Sequence, residues 1–341
     1  MATVTIAILG LGRIGASMVL ALRRYNAKKD ARHTFEVTSA DLRAGIREDA
    51  AKVGLGDKIE RDLFSAARDK DIVVLALPLA DMQDAYRIIG PELRAGTVVL
   101  DTSPLKMRSL DFAKKYLGAD VHMVGITPVI NPAYLFDGLD DTLHAQADLF
   151  DKGSMLLMPS PSCAKEAVEL ASDLAGLLGA APHFFDPAEH DSLTTLTEGM
   201  PSLLSVASFY MMARTSGWGD AQRITNPAFG RLTRSLYDTH PDDLRDLWLH
   251  NRESLVRHTG DLIAILQTLR ELLAQNDVDA LEAALGEASD AYNLWINRRT
   301  NGKWDDDKGV QPDQSVGNML MSGFMGGYLA KRLQGGKNGK S

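Results

Sequence analysis

Three glycines near the start of the chain, Gly10, Gly12 and Gly15 in "ILGLGRIG", have the spacing G-x-G-x-x-G. Alone the pattern is weak. Here it follows an apolar run, "VTIAILG" (4–10), and opens a helical pattern, "LGRIGASMVLALRRY", and that context gives it a chemistry. The first glycine permits a tight turn, the second lets a pyrophosphate approach the backbone, and the third lets helix and strand pack closely. Phosphates would meet free N–H groups and the positive end of a helix dipole. Gly10, Leu11, Gly12, Arg13, Ile14 and Gly15 are therefore the expected dinucleotide loop.

The next strand pattern, "FEVTSAD" (35–41), ends on Asp41. An acid there accepts hydrogen bonds from ribose hydroxyls and repels a 2′-phosphate, which favours NAD; Arg43 beside it keeps NADP open. The polar insert "NAKKDARHT" accounts for the long gap between Gly15 and Asp41. Ligands of such sheets lie outside the carboxyl ends of the strands. Leu77 and Pro78 in "ALPLADM" and Thr102 in "DTSPLK" are expected there against the cofactor, with Ser103 next to them. Helix capping is an equally good reading of Thr102 and Ser103.

These residues need a scaffold. The strand patterns "DIVVLALP" (71–78), "TVVLDTS" (97–103), "VHMVGIT" (121–127) and "SMLLMPS" (154–160) alternate with helical stretches. That alternation predicts an α/β fold: a Rossmann-type, doubly wound parallel sheet, followed by an all-helical C-terminal domain. Strand patterns stop near residue 188, which predicts domains at 1–187 and 188–300 and a linker with a tail over 301–341. "PDDLRDLWLHNRESLVRHTGDLIAILQTLRELLAQ" reads as one long amphipathic helix, and "DVDALEAALGEASDAYNLWINRR" as another. Helices this apolar predict a homodimer through the helical domain.

Of 341 residues, 45% are hydrophobic and 24% charged, an ordinary globular balance; the formal charge of −8 argues against nucleic acid as a partner. A single cysteine, Cys163, excludes an intrachain disulfide and a cysteine-cluster metal site. No ligand-spaced cluster suggests a metal. No apolar run reaches the ~18 residues of a membrane helix, and "MATVTIAILG" lacks a signal-peptide pattern. A cytoplasmic protein without a membrane partner is the expectation.

In order, "GLGRIG", "DIVVLALPL", "DTSPLK", "VGITPV", "DPAEHDSLTTLTEGMPSLLS" and "RLTRSLYDTHPDDLRDLWLHNRESL" resemble the prephenate/arogenate dehydrogenase family over roughly residues 4–290. The resemblance implies oxidative decarboxylation of a cyclohexadienyl carboxylate in tyrosine biosynthesis. It implies a serine in D-x-x-S-x-K, a histidine in G-x-H-P, histidines in a later helix and a carboxylate-binding arginine. Asp101 and Lys106 match, but Pro104 takes the serine's place and leaves Ser103 one residue early. Gly125 and Pro128 match, but Thr127 replaces the histidine. Pro201 matches, while Gly199 and Ser202 stand where histidines are expected; Glu189, His190, Asp191, Arg234 and Asn251 match.

The resemblance therefore places Ser103, Thr127 and His190 in catalysis, and Lys106, Thr127 and Arg234 against a small carboxylate substrate. Arg223 and Arg231 cluster with Arg234, and a guanidinium fork suits carboxylates. A hydroxyl at 127 does not act as a base near neutral pH as imidazole does. Either Thr127 or Ser103 only orients the substrate hydroxyl, or another histidine enters the site, or the substrate differs. His122 is five residues before Thr127 on the same strand and so faces the other way; His190 is the better candidate, against a structural contact at a helix start. The competing readings are a dehydrogenase or reductase acting on a different carboxylate, and a nucleotide-binding protein without turnover.

Overall fold

The computed structural model describes residues 2–55, 59–137 and 139–302. Beyond its first two residues, the linker and tail expected over 301–341 lie outside the described residues. The chain separates into two compact units, Met1–Arg252 and Glu253–Ser341.

The first unit is built on β1 (Ala2–Leu9), α1 (Arg13–Asn26), β2 (His33–Ala40), α2 (Ala44–Lys52), β3 (Ile59–Glu60), α3 (Leu63–Ala67) and β4 (Ile72–Leu75). It continues through α4 (Met82–Ile89), β5 (Val98–Asp101), α5 (Lys106–Tyr116), β6 (His122–Val129), β7 (Ser154–Pro159), α6 (Lys165–Leu178) and β8 (Ala181–Phe184). The strands form one sheet in the order β3-β2-β1-β4-β5-β6-β7-β8. The central strands are largely apolar because both faces are covered. Ile6, Ile8, Ile72, Val74, Val124 and Ile126 enter one layer with α1 and α6. Ala7, Leu9, Val73, Leu75 and Met123 enter the other with α3, α4 and α5. Each fully buried isoleucine or leucine contributes roughly 1.5–3 kcal/mol.

One strand departs from the expected parallel order: β7 runs antiparallel to β6. A parallel neighbour needs a crossover, usually a helix. Among the described residues of 130–153 the helical elements are short 3₁₀ turns, Pro132–Tyr134 and Thr142–His144, so the chain returns at the same edge of the sheet. Gly153 closes that return, since a Cβ there would lie 2.1 Å from the Val129 carbonyl oxygen. The short strands β3 and β8 had no sequence signal; all four residues of β8 are exposed.

After β8 come α7 (Pro187–Thr194), a π-helical turn at Thr195–Gly199 and α8 (Met200–Met212). Short helices α9 (Trp218–Ala221), α10 (Pro227–Leu232) and α11 (Ser235–Asp238) lead to α12 (Pro241–His250). The long helix expected from Pro241 onward is two: α13 (Arg252–Gln275) starts after a break at Asn251, whose φ of −103° and ψ of 24° leave the helix. Asparagine favours helix ends because its amide competes for nearby backbone groups. The last helix is α14 (Val278–Asn301), capped by Asp277, which accepts from Ala280 N at 3.0 Å. No helix among the described residues is long and apolar enough to cross a membrane.

Candidate active site

The dinucleotide loop turns as its glycines require. Gly10 has φ +99°, and a Cβ there would stand 2.1 Å from the Ala76 carbonyl oxygen, next to Leu77. At Gly15 a Cβ would meet the Gly10 carbonyl oxygen at 1.9 Å. Gly12 differs: a Cβ would meet nothing within 4 Å, and as N-cap of α1 it leaves the helix start without a side-chain cap. Open space in front of free N–H groups fits a dinucleotide pyrophosphate. Gly10→Ala should therefore unfold more readily, seen as a fall in Tm. Gly12→Val should keep its Tm and weaken NAD binding roughly tenfold or more, seen by calorimetric titration.

Around this loop lie the other residues expected at the cofactor, and the structure gives their partners. Asp41 is fully buried and its carboxylate accepts from Leu11 N (2.9 Å), Arg43 N (2.9 Å) and the Arg43 guanidinium (3.1 Å). Asp41 and Arg43 are thus held together at the end of β2. Leu77 is buried beside Gly10, and Pro78 begins the turn to α4. Thr102 spends its hydroxyl on the Leu75 carbonyl (3.0 Å). Arg13 is 5% exposed and forks onto Asp137 at 2.9 and 2.6 Å, with further bonds to the carbonyls of Leu139 and His144. Thr142 Oγ1 donates to the Leu11 carbonyl at 2.6 Å. The 131–146 connection therefore straps the cofactor loop, a role with no signature in the sequence.

At the next two strand ends lies a buried cation. Lys106 is fully buried, and its ammonium donates to the carbonyls of Asp101 (3.0 Å), Ser103 and Ile126 (2.8 Å). An ammonium has three N–H bonds, so all are spent on backbone and none faces a substrate. Gly125 makes room for it: a Cβ there would fall 2.9 Å from Lys106 Cδ. Ser103 is also buried; its N–H donates to Asp101 Oδ1 (2.6 Å), and its hydroxyl accepts from Leu105 N (3.3 Å). The other Asp101 oxygen accepts from Tyr86 (2.8 Å), whose hydroxyl burial pushes up in pKa.

Burial lowers the Lys106 pKa to about 8 against the ordinary 10.5. Between those values the unfolded chain holds a proton that the folded chain has lost, so this group's contribution to stability rises with pH across that window. Lys106→Met should abolish that rise, seen by comparing Tm against pH for both proteins.

A hydroxyl and an imidazole meet on the same face of the sheet. Thr127 Oγ1 lies 2.8 Å from His190 Nε2, and His190 Nδ1 lies 3.1 Å from Asp191 Oδ1. Asp191 also accepts from Lys106 N (2.7 Å) and Met107 N (2.9 Å), at the start of α5. A carboxylate occupied in accepting requires Nδ1 to donate, which leaves Nε2 as acceptor and Thr127 as donor. Hydroxyl, imidazole and carboxylate thus form a chain, with His190 4% exposed. The π-helical turn, a feature frequent at functional sites, follows directly. His122 lies on the opposite face, where its Nδ1 accepts from Ala164 N at 3.4 Å.

The two other histidine positions do not serve this chain. Ser202 donates to the Gly199 carbonyl (2.9 Å) and accepts from Trp248 Nε1 (2.9 Å), which ties α8 to α12. Arg234 pairs with Asp238 one turn away and opens on a cavity of about 270 Å³ that Arg13 and Asp140 also line. Arg223 is largely exposed, with an ion pair to Asp220 at 4.0 Å, and Arg231 lies exposed on α10; neither joins the cavity. Asn251 ends α12, and its Nδ2 is buried without a hydrogen-bond partner among the described residues. No group of three or more His, Cys, Asp or Glu among the described residues could hold a metal ion.

Two family models match in tandem: the nucleotide-binding domain of prephenate dehydrogenase over residues 22–182, and its dimerization domain over 186–287. A cyclohexadienyl dehydrogenase of Zymomonas mobilis is 24% identical over 283 residues, covering 81% of this chain and 90% of its own length. A prephenate dehydrogenase of Bacillus subtilis is 24% identical over 285 residues, 81% of this chain and 72% of its own. Among solved structures, prephenate dehydrogenase from A. aeolicus in complex with hydroxyphenyl propionate and NAD+ superposes with a TM-score of 0.69. It is 19% identical and covers 86% of this chain and 98% of its own. Synechocystis arogenate dehydrogenase gives 0.61 at 19% identity, covering 85% and 99%. At these identities the superpositions speak for the fold.

Proposed function

Because the chain belongs to the prephenate dehydrogenase family, we propose that it is an NAD-dependent dehydrogenase that oxidatively decarboxylates a cyclohexadienyl carboxylate, prephenate or L-arogenate. The observation that carries this reading is the Thr127–His190–Asp191 chain at the carboxyl edge of the sheet, on the strand whose motif lacks its histidine.

Bound NAD supplies the hydride acceptor. The protein must position the ring hydroxyl and handle its proton. Thr127 Oγ1 accepts that proton as its own passes to His190 Nε2, and Asp191 holds the imidazole in the tautomer this requires. Carbon dioxide leaves, and the electrons of the broken C–C bond make the ring aromatic. The proton returns along the same path to the ring oxygen. The relay only lends a proton, so no strong permanent base is needed, and a threonine backed by a buried histidine suffices. Lys106 fixes the two strand ends, through Ser103 O and Ile126 O, on which this geometry depends. Arg234 holds a substrate carboxylate.

The division at 1–187, 188–300 and 301–341 separates cofactor binding, substrate binding and assembly, and the tail. Exposed Val256, Ile263, Leu266 and Leu273 on α13, with Leu285, Tyr292, Leu294 and Trp295 on α14, support a homodimer through the helical region. A cytoplasmic site of action suits a biosynthetic dehydrogenase. Formation of reduced cofactor with each substrate and with NAD or NADP tests the whole reading; clear NAD binding without turnover of either substrate would end it. Arg234→Ala should raise KM roughly tenfold or more with a smaller change in kcat, the loss of one charged hydrogen bond. An unchanged KM would place the carboxylate elsewhere.

A further inference from the structure

The cavity beside the cofactor loop has a charge pattern that chooses between the two substrates. Arg234, the proposed holder of a substrate carboxylate, lines this cavity, so the substrate tail would lie there. Arg13 and Asp137 line the cavity but are matched to each other by a two-pronged bond, 2.9 and 2.6 Å, with Arg13 covered. Arg234 pairs with Asp238, yet its side chain is 37% exposed, and a pair this open yields readily to an incoming carboxylate. Asp140 lines the same cavity, opens onto it, and has no hydrogen bond or ion pair among the described residues. The surrounding protein, and then the Asp238 carboxylate, push the Asp140 pKa up.

We infer that the substrate tail is a zwitterion: Arg234 takes its carboxylate and Asp140 its ammonium, so the chain turns over L-arogenate in preference to prephenate. The inference rests on the dehydrogenase reading above. The two candidate substrates share the ring, its hydroxyl and its carboxylate. They differ at the tail, where one carries an ammonium and the other a ketone beside the same carboxylate. As the tail carboxylate displaces Asp238 from Arg234, the cavity is left with two unmatched carboxylates, Asp140 and Asp238. An ammonium matches them. A ketone brings only an acceptor and leaves both carboxylates without a partner, which disfavours it.

The test compares kcat/KM for L-arogenate and prephenate with NAD, in the wild type and in Asp140→Asn. The wild type should favour L-arogenate by about tenfold or more, and Asp140→Asn should move the ratio about tenfold toward prephenate. Asp140 is exposed, so its replacement should leave Tm unchanged. Preference for prephenate, or an equal loss on both substrates in the variant, overturns the inference while leaving the dehydrogenase reading standing. Absence of turnover with either substrate overturns both.

Discussion

His190→Ala is expected to lower kcat by about 10³-fold, in the middle of the range for positioned acid–base groups, with KM for substrate and NAD moved less than about threefold. His190 touches the reacting hydroxyl only through Thr127, so its loss removes a transition-state interaction and leaves ground-state binding in place. The imidazole is buried, and alanine also strips Thr127 Oγ1 of its partner. The variant should therefore lose about 1–3 kcal/mol of stability, the cost of an orphaned polar group. His190→Asn separates the two effects: it fills much of the space and keeps polar atoms, yet takes up no proton. It should fold with a Tm near that of the wild type and remain as slow as the alanine variant. A kcat within about fivefold of the wild type would show that the proton takes another route.

Much of the scaffold was legible because its physics is local. Gly10 is dictated by its own left-handed turn, φ +99°, as well as by the distant Ala76 carbonyl, Gly15 by the Gly10 carbonyl five residues back, and largely apolar strands announce burial on both faces. The return of β7 was also legible in principle, since residues 130–153 carry no run at helical spacing and an antiparallel neighbour needs no crossover helix. The site was less legible because it is assembled from afar. His190 reaches Thr127 across 63 residues, and nothing in either segment names the other. Asp191 was visible only as part of a matching motif; its place at the start of α5, which fixes what it accepts, comes from the fold. Lys106 was expected at the substrate, and only three carbonyls from two strand ends reveal that its N–H bonds are taken. Asp140 gave one weak sign, an acid-rich "DGLDD" in a long connection without a helix pattern.

Thr127→Val tests the relay from its other end. Valine keeps the branched shape and the strand preference of threonine and removes the hydroxyl alone. Because Thr127 lies on an edge of the buried site, with His190 Nε2 its partner at 2.8 Å, fold and cofactor binding should persist. The expected fall in kcat is about 10²–10³-fold, with KM nearly unchanged. Serine at the same position should restore most of the rate, since the donor survives. The decisive measurement is the double variant Thr127→Val/His190→Ala. If the two groups act in series on one proton, losing either breaks the same path, and the double variant should be no slower than the slower single. Independent contributions would instead multiply to about 10⁵-fold or more. A multiplicative result would mean that threonine only orients the substrate while histidine acts on something else, and the borrowed-proton mechanism would have to be abandoned. A shared loss would explain how this strand keeps the chemistry with no histidine of its own: the imidazole stands one hydroxyl further back, held by a carboxylate that also caps a helix.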